Sequence, residues 1–167
     1  LLIANDGSRD RTYDIMRQLS NNLPDFVPID KPNSGHGATV LFLYKKAIEA
    51  GADFIFQTDS DGQTNPDEFW EFWEKRHQHN FIIGVRNSRM DGMGRVLVSQ
   101  VLRCVIWLMF GEMVKDANTP FRLMNTKRLV PILKHINDDF FLSNVAICVI
   151  AVKNNENCHW VPITFKP

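Results

Sequence analysis

The chain has 167 residues, 44% of them hydrophobic and 23% charged, with 19 Lys plus Arg against 19 Asp plus Glu. That length suits one domain with a sizeable core, and the composition lacks the low hydrophobicity and charge excess of a disordered chain. Zero net charge removes the electrostatic basis for a general nucleic-acid binder, so any phosphate bound must be held locally.

Cys104, Cys148 and Cys158 are odd in number and scattered, which predicts free thiols and a reducing, cytoplasmic compartment. No stretch reaches the roughly 18 consecutive apolar residues of a membrane span, and no signal peptide is evident. Leu1 opens directly on an apolar run and Pro167 follows a strand-like segment. The expectation is therefore a single domain over 1–167, cut at both ends and lacking the start of its first strand.

In chain order, residues 1–5 (LLIAN) read as a buried strand, followed by the polar DGSRDRT and a helical set at Ile15, Met16 and Leu19. A short strand at 26–29 leads through KPNSGHG into a helix with Val40, Leu43 and Ala47 on one face, ended by Gly51. Residues 53–59 (DFIFQTD) are apolar without alternation, as a strand covered on both faces would be. Pro66 after Asn65 suits the first turn of a helix running through Phe69, Trp70, Phe72 and Trp73 towards His79, and FIIGVR at 81–86 is the next strand. The aromatic cluster reads as packing, with Trp70 or Trp73 open as a sugar platform.

Residues 96–110 are densely apolar and helical in their propensities, with core the default expectation and a membrane-facing role the rival. An extended piece at 121–124, helices near 126–136 and 141–152, and a strand at 159–165 complete the chain. His77, His79, His135 and His159 show no common ligand spacing and read as surface residues. Alternating strands and helices predict an α/β fold, a mainly parallel central sheet with helices on both faces, and ligands beyond the carboxyl ends of the strands.

Asp59 and Asp61 flank one small residue at a strand end, so both carboxylates can face one ion, and Gln63 could add an amide oxygen. Such oxygen donors suit magnesium or manganese, which keep positions open for a substrate's phosphates. A solvated turn is the plain alternative. A calcium loop of the EF-hand type is excluded, because Gly62 stands at position four rather than six.

Three segments together resemble the family 2 glycosyltransferases, whose nucleotide-binding domain has the GT-A fold. NDGSRDRT at 5–12 is similar to that family's D-D-G-S-x-D-x-T strand end, NSGHGA at 33–38 to its N-x-G-x-G-A loop, and DSDGQ at 59–63 to its D-x-D-x-Q metal motif. The resemblance implies an inverting transfer of a sugar from a nucleoside diphosphate-sugar. Asn5, Asp6, Gly7, Ser8, Asn33, Gly35, His36 and Gly37 would bind the donor, with Asp6 on the nucleoside, and Asp59, Asp61 and Gln63 would hold a divalent cation. Asp6 as a turn or cap residue, and the glycine loop as a simple turn, remain open.

GVR at 84–86 and the later Arg95 resemble the subgroup that transfers sugars to polyprenyl phosphates, as in dolichyl-phosphate mannosyltransferases, and guanidinium groups suit such phosphates. Arg89 and Arg103 read as solvated. DANTPFRLM at 116–124 is similar to the family's D-x-x-S-G-F-R segment, which places Asp116 near the acceptor and leaves Arg122 structural or phosphate-facing. Asn5 replaces the first acid of D-D-G-S, His36 stands where Lys is frequent, and Thr119 and Pro120 depart from the third motif.

No E-D pair is present to act as general base, although Asp138 and Asp139 could serve either as base or as helix cap. A phosphate acceptor is already anionic, which favours a lipid phosphate over a glycan hydroxyl and peripheral contact with the cytoplasmic face of a membrane. A sugar-phosphate nucleotidyltransferase and a non-catalytic nucleotide-sugar-binding domain are the rival functions.

Overall fold

The computed structural model describes residues 1–86, 107 and 114–166, which fall into two compact units. The expected helix at 96–110, apart from Trp107, lies outside the described residues, as do Arg89, Arg95, Arg103 and Cys104.

The first unit, Leu1–Ala52 with Asn137–Ser143, holds β1 (Leu2–Asp6), α1 (Thr12–Asn22), β2 (Val27–Lys31) and α2 (His36–Glu49). β1 and β2 pair in parallel from Leu2↔Val27 to Asp6↔Lys31, as a strand-helix-strand crossover requires. α1 packs on β2 and α2 on β1. Met16, Leu41 and Tyr44 are buried, whereas Ile15 and Leu19 of the expected apolar face are exposed. α2 stops where the sequence predicts: the Gly51 N–H bonds to the Ile48 carbonyl and the Ala52 N–H to the Ala47 carbonyl, the paired closure of a Schellman end.

The second unit, Asp53–Ile136 with Asn144–Pro167, holds β3 (Phe54–Gln57), α3 (Phe69–Glu74), β4 (Phe81–Arg86), β5 (Arg122–Asn125), α4 (Thr126–Leu133), most of α5 (Ser143–Lys153) and β6 (Cys158–Ile163). Its sheet has the order β3-β5-β4-β6. β4 and β6 are parallel, and β5 is antiparallel to both β3 and β4. Thus β3, β4 and β6 run one way, as expected, and put their carboxyl ends at one edge. β5 is the single reversal: it fills the gap between β3 and β4 and runs straight into α4, whose first turn is capped by the Asn125 side chain accepting from the Lys127 N–H.

The helix expected from Pro66 towards His79 is shorter than predicted. A 3-10 turn, Pro66–Glu68, capped by Asn65, precedes α3, which ends at Glu74 and gives way to turns. Phe69, Phe72 and Trp73 pack, as the sequence predicts. Phe72, Ile82, Phe121, Leu123, Val161 and Ile163 form the core, with Phe54, Phe56, Phe69 and Trp73 against it. Phe56 meets Phe121 and Phe69 edge-on at 4.8 and 4.9 Å between ring centroids. Edge-to-face contacts of this kind add to area burial and lock the last turn of β3, from which the acidic loop departs.

Candidate functional site

In the first unit the loops after β1 and β2 interlock through Asp6. One of its carboxylate oxygens accepts from the Lys31 ammonium at 2.5 Å and the Ser34 N–H at 2.9 Å, and the other from the Gly35 N–H at 3.0 Å. Burial acts to raise its pKa. The hydrogen bonds from Lys31, Ser34 and Thr39 and the Lys31 charge outweigh that and bring it down to about 2. Asp6 therefore stands as a fixed anion against the amides that open α2, a position the helix dipole also favours.

Asn5 is buried; its amide donates to Asp30 at 2.7 Å and its oxygen accepts the Ser8 N–H at 3.3 Å. An aspartate at position 5 would set two carboxylates in contact, so Asn5 and Asp30 suit each other. Gly7 has φ +75°, and a Cβ there would lie 2.8 Å from the Asn33 nitrogen, so only glycine lets the two loops meet. The missing Cβ of Gly37 makes room for the carbonyl oxygens of Phe140 and Phe141 from its own chain. Ser8, Asn33, Gly35 and His36 are exposed on the same loops.

In the second unit the acidic loop follows β3. Asp59 is half-buried, Asp61 exposed and Gln63 half-buried. Asp61 accepts the Gln63 N–H on one oxygen at 3.0 Å, and the hydroxyls of Thr58 and Thr64 meet at 3.1 Å to close the loop's base. Among the described residues no three His, Cys, Asp or Glu side chains converge. Two carboxylates and an amide on a solvent-facing turn do fit a magnesium or manganese ion, which takes one or two carboxylates and completes its shell with water and a substrate's phosphates.

Arg86 and Asp116, assigned separately from the sequence to phosphate and acceptor, are partners. Arg86 Nε donates to Asp116 Oδ2 at 2.9 Å and Nη2 to Oδ1 at 3.0 Å, with the Arg86 backbone N–H at 3.3 Å. Both side chains are largely buried, and the guanidinium also lies over the Phe165 ring, 5.4 Å from its centroid. Such a forked pair fixes the guanidinium plane. Arg122, left open between two roles, is structural: it is 1% exposed and donates to the carbonyls of Ala117, Thr119 and Asn144.

Other groups singled out in the sequence have contacts within the protein. Asp138 pairs with Lys45 at 2.5 Å on the surface of the first unit. Trp73 packs against Phe54 and Phe69 and carries Arg76 over its ring, while Trp70 is 62% exposed. Cys148 and Cys158 are free, and burial pushes their thiols up to about 12 and about 11, which makes them inert. His79 and His159, expected as separate surface residues, stack at 4.4 Å and are half-buried. His79 lies just before β4 and His159 in β6, so the contact joins segments that no local spacing relates.

The chain matches the family described as Glycosyl transferase family 2 over residues 1–123. It is 26% identical over 183 aligned residues to the UDP-N-acetylglucosamine–dolichyl-phosphate N-acetylglucosaminyltransferase of Methanococcus voltae, covering 98% of this chain and 73% of that one. It is 32% identical over 76 residues to a dolichyl-phosphate beta-glucosyltransferase of Trichomonas vaginalis, covering 45% of this chain and 22% of that one. Among solved structures it is similar to glucosyl-3-phosphoglycerate synthase from Mycobacterium tuberculosis. With phosphoglyceric acid bound, that enzyme gives a TM-score of 0.67 at 11% identity, over 99% of this chain and 60% of that one. With Mn2+ and UDP-glucose bound, the TM-score is 0.65 at 12% identity. The chain thus spans 60% of the solved enzyme's length. Likeness at that identity speaks for the fold, which is GT-A. With three motif-bearing loops in family order and a match over the greater part of its length, the chain belongs to glycosyl transferase family 2.

Proposed function

We propose that the protein transfers one sugar from a nucleoside diphosphate-sugar to a polyprenyl phosphate, with inversion at the anomeric carbon and with a magnesium or manganese ion held by Asp59, Asp61 and Gln63. The observation that carries this reading is the acidic loop beyond β3, whose Asp61 is oriented by the Gln63 N–H. The acceptor class rests on the two curated relatives, both named for dolichyl phosphate.

When bound, the cation offsets the negative charge that develops on the leaving nucleoside diphosphate. The chain's own residues do the rest. The loops carrying Asn5, Asp6, Gly7, Ser8, Asn33, Gly35, His36 and Gly37 serve the nucleoside, with Asp6 holding both loops in one conformation. Arg86, its plane set by Asp116, supplies positive charge to a phosphate. A phosphate oxygen is already nucleophilic, so the transfer needs no general base. Arg95 is assigned a second phosphate contact by the resemblance alone. Among the described residues no helix is long and apolar enough to cross a membrane, and in this reading the protein meets its lipid at the cytoplasmic face.

The test is a panel of nucleotide sugars measured for thermal stabilisation with and without manganese, on wild type and Asp61→Ala, followed by transfer to dolichyl phosphate. Binding to the folded state raises Tm by mass action. One donor should stabilise the wild type only with manganese, leave Asp61→Ala unmoved and give lipid-linked sugar. If no donor shifts the intact protein, the reading fails.

A further inference from the structure

Residues 164–166, just past β6, cross the acidic loop and carry Arg86 in one stroke. The Lys166 N–H donates to the Gln63 carbonyl at 2.7 Å, and Thr64 and Phe165 form an antiparallel bridge. The Thr164 N–H reaches both oxygens of Glu68 at 2.9 and 3.1 Å, which ties the segment to the turn before α3. On its other side the half-buried Phe165 ring lies under the Arg86 guanidinium.

These contacts form two relays. In the first, Lys166 N–H holds the Gln63 carbonyl, and the Gln63 N–H holds one oxygen of Asp61. These bonds anchor the two peptide groups that flank the Gln63 Cα, one through its C=O and the other through its N–H, so the strap restrains φ and ψ of Gln63 and with them the direction from which the Asp61 carboxylate is held. In the second, the Phe165 ring supports one face of Arg86 while Asp116 grips its edge at two points. A guanidinium held by a fork and a ring together has lost both its tilt and its in-plane freedom.

We infer that residues 164–166 are a positioning strap for the transfer proposed above, with the Lys166 amide orienting Asp61 through Gln63 and the Phe165 ring orienting Arg86. The inference rests on that reading of the site. It assigns separable effects to two neighbouring residues: the amide acts on cation binding and the ring on the anionic substrate.

Lys166→Pro removes the amide proton and keeps Phe165, whereas Phe165→Ala removes the ring and keeps the backbone bridge. Phe165→Trp restores an aromatic face. In the intact protein, binding of manganese alone is followed by the loss of its free electron-spin-resonance signal, and transfer to dolichyl phosphate by steady-state kinetics. Lys166→Pro should weaken manganese binding about tenfold, while Phe165→Ala stays within about twofold of wild type. Phe165→Ala should raise the KM for dolichyl phosphate about tenfold with kcat little changed, and Phe165→Trp should recover most of the loss. The strap is overturned if Lys166→Pro binds manganese like wild type, or if Phe165→Ala and Phe165→Trp share one KM. A wild-type protein that transfers no sugar at all sinks the proposed function itself and the strap with it, a result distinct from variants that merely match an active wild type.

Discussion

Asp6 closes two loops with one carboxylate, and the consequence is a stability that depends on acid. Its pKa of about 2 lies below the ordinary 3.8, so the folded state binds the proton less readily than the unfolded one. The stabilisation is therefore complete above about pH 4 and lost as pH falls through about 2. Asp6→Ala leaves the Ser34 and Gly35 amides and Lys31 without their acceptor and should cost about 1–3 kcal/mol near neutrality. Thermal unfolding of both proteins from pH 6 to pH 2 checks this; a gap in Tm that does not narrow with acid would show that the carboxylate is not the source.

Arg122 makes a larger demand, because its guanidinium is buried against three carbonyls rather than an acid. Arg122→Met should lose about 3 kcal/mol or more in urea unfolding, since those carbonyls would be stranded. A loss under 1 kcal/mol would mean that water takes the guanidinium's place. The positions of Asp6 at the end of β1 and of Asp59 and Asp61 just past β3 were legible in the sequence, because each sits in a contiguous motif that follows an apolar run. The Arg86–Asp116 fork, the Phe165 ring beneath it and the Asn5–Asp30 bond were not, because they join segments distant in the chain whose meeting depends on register.

At the scale of elements, β4 shows what periodicity can and cannot give. Its bounds, Phe81–Arg86, coincide with the apolar run that predicts it, and the parallel direction of β3, β4 and β6 follows from the helices between them. The reversal of β5 is invisible locally, since a four-residue strand has no direction until its neighbours supply one.

Beside the β4–β6 pair, His79 from just before β4 and His159 from β6 lie face to face. Burial, then the His79 and Lys75 charges, hold the His159 pKa below the usual 6.5, with Lys115 adding to the effect and Glu71 opposing it. His79 is itself anchored to Asn157 at 2.9 Å. Because the folded state disfavours the proton, stability is full above pH 6.5 and declines as pH falls below it. Amide exchange at β6 should quicken between pH 7 and pH 5 beyond its intrinsic change, and His79→Gln should blunt that trend. An unaltered trend in His79→Gln would remove the stacked pair as its cause.

Across the whole molecule the two units have unequal means of holding themselves together. In the second, β4 is paired on both edges, Phe81, Ile82 and Ile83 are each 1% exposed, and an aromatic cluster backs the sheet. In the first, β1 and β2 form a two-stranded sheet, and Leu1, Ile15, Leu19, Leu23 and Val27 are exposed. A two-stranded sheet has little apolar burial behind its hydrogen bonds, so it opens at lower free energy than the four-stranded one. Native-state hydrogen exchange should therefore find the β1 and β2 amides less protected than those of β4, β5 and β6. In the proposed function the first unit serves the nucleoside, so a bound donor should raise protection there in proportion to its occupancy. Equal protection of both sheets in the free protein would contradict the difference in burial. Unequal protection that a saturating donor leaves unchanged would contradict the nucleoside assignment of Asp6 and its loops, while leaving the acidic loop of the second unit to stand on its own test.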